Sequence, residues 1–133
     1  MNMPPTVLWH IAPECAIESI KADGLLARPY VYAGSTPEGA WNFMSFRTFD
    51  HFIFDKGHSQ PPTMHQHDTL GLFEIDCTKM FDLTGKFWEE SFDHSPEFFK
   101  ADAWMVNVAV APAAMALHIL NRDAAEVHSE LLV

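Results

Sequence analysis

The sequence predicts an α+β fold, and two observations predict it. One is a strand, helix, strand unit over Val7 to Tyr32, where short apolar runs flank a segment of helical period. The other is a pair of later segments, Leu70 to Asp76 and Trp104 to Val110, whose side chains alternate as those of a strand do. At 133 residues and 48% hydrophobic, the chain has the length and apolar content of one domain with one core. No internal repeat or shift in composition marks a second domain, so residues 1–133 are expected to form a single unit with its core over about 7–120.

Each element follows from local chemistry. Val7 to Ile11 is bounded by Pro4-Pro5 and Pro13, which exclude a long helix and favour a strand. Pro13 suits the first turn of a helix in which Ala16, Ile17 and Ile20 face the core, Glu14, Glu18 and Lys21 face water, and Gly24 supplies the left-handed end. Leu25 and Leu26 are expected to cover the core side of that turn. Arg28-Pro29 then imposes an extended backbone before Tyr30-Val31-Tyr32. Ser35 to Glu38 has capping-box spacing, and Thr36 before Pro37 is an equally good helix start. The aromatic segment from Ala40 to Phe46 follows, expected to be buried. From about Phe49 to Asp68 the period dissolves into a long, partly mobile loop. Leu70 to Asp76 reads as a central strand, followed by a turn at Thr78-Lys79 and a short edge element at Phe81-Asp82-Leu83. Phe87 to Phe99 has no strong period. Trp104 to Val110 is the clearest strand signal, Pro112 begins a turn or short helix, His118 to Leu120 is one more strand, and Asp123 to Val133 is a weak helix or frayed end.

Composition restricts the function. The formal charge of -10 repels phosphate backbones, so a broad nucleic-acid footprint is disfavoured. Two cysteines, Cys15 and Cys77, are too few for a disulfide framework and read as buried or half-buried thiols of a cytoplasmic protein. No signal-peptide pattern or membrane-length apolar run is present. His51, His58, His65 and His67 match no zinc spacing, so no metal site is expected. Their loop is read instead as a cover for a cleft or a contact for a target. Glu89-Glu90 with Asp93 reads as a solvated face.

Polar groups inside apolar strands direct attention to the first unit. On a strand His10 points away from Trp9 and Ile11, and Tyr30 and Tyr32 share one face while Val31 takes the other. One imidazole and two phenols can therefore meet across a cleft.

Leu8-Trp9-His10-Ile11, the helix ending Asp23-Gly24-Leu25, Val31 to Ser35 with Pro37-Glu38-Gly39-Ala40, Leu72 to Asp76, and Trp104-Met105-Val106 with Ala111-Pro112 together resemble the ADP-ribosyltransferase-like fold. The likeness is to its small histidine, tyrosine, acid members, among them diphtheria-toxin-like enzymes and rifamycin-modifying transferases. It implies a split, strongly bent β-sheet core with short helices that holds NAD and breaks its nicotinamide–ribose bond. The transferase reading assigns His10, Ile11, Arg28, Tyr30 and Tyr32 to the cofactor. His10 holds ribose hydroxyls, Tyr32 is the platform for the nicotinamide ring with Tyr30 as a second wall, and Arg28 meets the pyrophosphate. Catalysis falls to His10, Tyr32 and an acid whose charge stabilises the oxocarbenium-like transition state. Family members usually carry glutamate there; this chain offers Asp102, with Glu97 and Glu74 as rivals. Ala12 stands where serine or threonine is common, which removes one hydroxyl. The implied function is an NAD-dependent mono-ADP-ribosyltransferase with a protein or other acceptor. The alternative is a non-catalytic acidic inhibitor or interaction protein on the same fold, blocking a basic nucleic-acid-handling partner. RNA 2'-phosphotransfer ranks last because it requires several basic residues and only Arg28 is well placed.

Overall fold

The computed structural model describes residues 5–37, 39–40, 69–90, 103–121 and 125–133. The aromatic segment after Ala40, the histidine loop, the acidic stretch after Glu90, and both Glu97 and Asp102 lie outside the described residues.

Among the described residues, two antiparallel sheets and two helices make a mixed α+β architecture that closes into no barrel. Strand β1 spans Val7–Pro13, helix α1 Glu14–Asp23, β2 Val31–Ala33, β3 Thr69–Asp76, helix α2 Cys77–Thr84 and β4 Glu89–Glu90. Strand β5 spans Trp104–Val106, a 3-10 turn Pro112–Ala114, β6 Met115–Asn121 and β7 Glu126–Leu131. The larger sheet has the order β1-β3-β6-β7 and the smaller β2-β5-β4. Trp9 and Gly34 join them through a pair of backbone hydrogen bonds, Trp9 N to Gly34 O at 2.8 Å and Gly34 N to Trp9 O at 2.9 Å.

The first unit forms as its residues dictate. Pro13 caps α1 in an extended conformation, Ile17 and Ile20 are its buried face, and Gly24 ends it at φ 81, its N–H donating to Ile20 O. Strand β3 is central, paired with β1 on one side and β6 on the other, and both its faces are covered. Phe73 and Ile75 on one face pack with Leu8, Ala12, Ile17 and Leu117, while Leu70 and Leu72 on the other pack with Ile11 and Ala40. Full burial of a side chain such as Phe73 is worth about 1.5–3 kcal/mol, so this strand anchors the larger sheet.

Local pattern fails where tertiary contacts decide. After β3 the chain forms α2 and not a turn with an edge element, because the Asp76 carboxylate accepts from Lys79 N–H at 3.0 Å and Gly85 closes the other end at φ 72. The alternation after Trp104 sustains only three residues of strand, and Val110 makes an isolated bridge to Leu25 instead. At the other end of the chain, β7 is a strand paired with β6 and not a weak helix or frayed end, so pairing overrides a segment with little propensity of its own. Leu26, expected to cover the core side, is 49% exposed, and Leu25 alone is buried there. Thr36 supplies the next helical start, its hydroxyl accepting from Gly39 N–H at 2.9 Å.

The cysteines diverge. Cys15 is exposed on α1, a correction to the expectation of a buried or half-buried thiol, whereas Cys77 is half-buried. Burial, reinforced by the neighbouring Asp76 carboxylate, pushes the Cys77 thiol up to about 12. Titration of the native chain with an aromatic disulfide at neutral pH is therefore expected to modify Cys15 quickly and Cys77 only after denaturant is added. Equal rates for both thiols would contradict this placement.

Candidate functional site

A cavity of about 380 Å³ opens beside the Trp9–Gly34 junction. His10, Ile11, Arg28, Tyr30 and Tyr32, which come from β1, the segment after α1 and β2, all line it. Their convergence depends on two close backbone approaches. At Gly24, a Cβ would lie 2.1 Å from the Val110 carbonyl oxygen, so only glycine lets α1 end against the bridge that turns the chain toward Arg28. At Gly34, a Cβ would lie 2.6 Å from the Ala40 nitrogen, so only glycine lets the next helical turn fold back onto the end of β2.

The His10 ring is fixed by one bond. Its Nδ1–H donates to the Tyr32 carbonyl at 2.8 Å, since a carbonyl only accepts. Neutral His10 is therefore the Nδ1–H tautomer, and Nε2 keeps its lone pair. Among the described residues Nε2 has no hydrogen-bond partner, and the one buried side-chain polar atom without a partner is Trp88 Nε1. His10 is one of the residues that line the cavity, and Nε2 is its acceptor nitrogen. Burial holds the imidazole below its ordinary value, and the bond to Tyr32 O opposes that shift without cancelling it.

The sign of the linkage follows. A histidine with a depressed native pKa contributes stability in full above its unfolded value of 6.5 and loses it as pH falls through the lower native value. Urea midpoints measured from pH 8 to about pH 5 are expected to drop below about pH 6.5, and to drop less in His10→Asn, whose amide can still donate to the Tyr32 carbonyl. An identical slope in both proteins would show that His10 is not the group responsible.

The two phenols meet each other as well as the cavity. Their ring centroids lie 6.2 Å apart and their planes are tilted by 59°, an edge-to-face arrangement rather than a parallel slot. Tyr32 is half-buried on β2, while Tyr30 is 38% exposed at the rim just before the strand begins. Arg28, also exposed, has no carboxylate partner among the described residues, so its guanidinium is available to an anion.

Other predicted positions separate from this group. Glu74 sits opposite Trp9 in the β1–β3 register, on the sheet face away from His10, and His118 Nε2 holds it at 2.9 Å. The other ring nitrogen of His118 contacts Glu126 at 3.0 Å, so Glu74 is bound into a side-chain network and does not line the cavity. Ala12 is buried in the core and does not line the cavity. Asp102 and Glu97 lie outside the described residues.

Among the lining residues that sequence reasoning did not assign to the site, three carry polar or aromatic groups of use to a ligand. Ser19 and Asp23 lie four apart on the cavity side of α1, and Trp9 lines the cavity from β1. The i, i+4 spacing of Ser19 and Asp23 on the helix was the available signal.

No family model matches this chain. No curated protein matches it either. Its fold is similar to that of a solved chain, EcPltA, with a TM-score of 0.54 at 7% identity over 97% of this chain and 86% of that one. At that identity the likeness is one of fold. No helix among the described residues is long and apolar enough to cross a membrane.

Proposed function

We propose that this protein is an NAD-dependent mono-ADP-ribosyltransferase with a protein acceptor, built on an ADP-ribosyltransferase-like core of two bent, split sheets. One observation carries the reading: the His10 to Tyr32 bond fixes the ring with Nε2 as its acceptor, and His10 lines one cavity together with Arg28 and two phenols. That donor and acceptor set fits a dinucleotide. His10 Nε2 accepts from a ribose hydroxyl, the Arg28 guanidinium takes the pyrophosphate, and a phenol face receives the flat nicotinamide. Asp23 lines the same cavity, which favours ribose hydroxyls near α1 and keeps the phosphates toward Arg28. NAD supplies the ADP-ribosyl group and a neutral nicotinamide leaving group. The protein's part is orientation in the ground state and, through the Asp102 carboxylate, stabilisation of positive charge on the ribose as the bond breaks.

Calorimetry with NAD, together with nicotinamide release followed by chromatography, tests the proposal. Binding that accompanies release above background supports it. Neither binding nor release would overturn it and leave the acidic interaction protein as the reading of this fold, with partner binding that weakens as salt rises.

A further inference from the structure

A second cavity, of about 340 Å³, lies where the end of α2 meets the smaller sheet. Lys86 and Phe87 line it from the chain between α2 and β4, Glu89 from the start of β4, and Met105 and Asn107 from β5 and the residue just beyond it. Tyr30 borders both this cavity and the first. Its size falls within the range of small-molecule sites, and its groups are more specific than its size.

Lys86 and Glu89 carry opposite charges on one cavity, yet neither makes an ion pair among the described residues, with each other or with any other group. An ammonium and a carboxylate are both left for a ligand. Phe87, which lines the same cavity, is 65% exposed and stacks on Phe81, itself 37% exposed, with centroids 4.2 Å apart and planes 22° from parallel. A stacked pair of phenyl rings standing in water presents an aromatic face beside the two charges, and the Met105 thioether adds a polarisable contact.

We propose that this cavity binds a small aromatic zwitterion of the free amino-acid type. Its carboxylate pairs with Lys86, its ammonium with Glu89, and its ring packs on Phe87. The charge pattern selects this class: an aromatic acid would leave Glu89 facing like charge, an aromatic amine would do the same for Lys86, and a zwitterion satisfies both. The inference stands apart from the reading of the first cavity, since it draws on different side chains and a different ligand.

L-phenylalanine is the probe, titrated into the full chain by calorimetry, with phenethylamine and 3-phenylpropionate as the two half-charged comparisons. L-phenylalanine is expected to bind, and each half-charged analogue at least tenfold more weakly. Lys86→Met and Glu89→Gln should each weaken L-phenylalanine binding at least tenfold, while Lys79→Met, an exposed lysine of α2 outside the cavity, should leave it unchanged. His10→Ala serves as the second control. Three results would each overturn the proposal: no binding at millimolar ligand, binding unaffected by both charge substitutions, or binding abolished by His10→Ala, which would place the ligand in the first cavity. Melting curves matching that of the parent chain keep a folding defect from imitating the expected loss.

Discussion

In a nicotinamide-release assay, Asp102→Asn is expected to slow turnover on the order of a hundredfold or more while leaving NAD affinity close to that of the parent chain. His10→Ala is expected to do the reverse, weakening NAD binding roughly tenfold with a smaller effect on turnover at saturation. The contrast lies in when each group acts. The His10 Nε2 lone pair meets a hydroxyl that exists before any bond breaks, so its loss removes ground-state and transition-state binding together. A carboxylate beside the ribose meets a charge that develops only as nicotinamide departs, and asparagine keeps the shape while removing that attraction. Unchanged turnover in Asp102→Asn would move the assignment to Glu97, because Glu74 is already held by His118 on the far face of the sheet.

Gly24→Ala is expected to be the most destabilising single-methyl substitution among the glycines of known environment, by about 3–5 kcal/mol. Two costs combine. The backbone at φ 81 disfavours any side chain, by about 1 kcal/mol, and the new methyl would sit 2.1 Å from the Val110 carbonyl oxygen. Relieving that clash means breaking the Leu25–Val110 bridge, whose two hydrogen bonds are 3.0 and 2.9 Å long. Each backbone group left buried and unpaired costs about 1–3 kcal/mol. Gly85→Ala isolates the first cost, since Gly85 also has positive φ, at 72, but its Cβ would meet nothing within 4 Å. Against a total stability of about 5–15 kcal/mol, the difference between the two variants is large enough to read directly from urea midpoints. Equal losses would mean that the approach to Val110 yields without cost.

The first thirty residues were legible because their signals are local. Proline on both sides of Val7 to Ile11, a helical apolar stripe ended by Gly24, and alternating tyrosines need no distant partner to be understood, and they yielded β1, α1, β2 and five lining residues of the cavity, His10, Ile11, Arg28, Tyr30 and Tyr32. The same holds for β3, whose apolar residues serve two buried faces at once.

Elsewhere the deciding contacts lie far apart in sequence. The seven-residue alternation from Trp104 sustains only β5, because Val110 is drawn away to pair with Leu25. Residues 126–131, polar and without a strong period, become a strand because β6 offers an open edge. The sequence by itself determined the composition class, the N-terminal unit, the central strand and five of the residues that line the first cavity, His10, Ile11, Arg28, Tyr30 and Tyr32. Tertiary structure alone decided which acid is unavailable, which ring nitrogen of His10 is free, and that Lys86, Phe87 and Glu89 share a second cavity with Tyr30. The physical reason is that periodicity reports which face of an element is apolar, whereas a hydrogen-bond partner or a shared cavity wall depends on where another element, dozens of residues away, comes to rest.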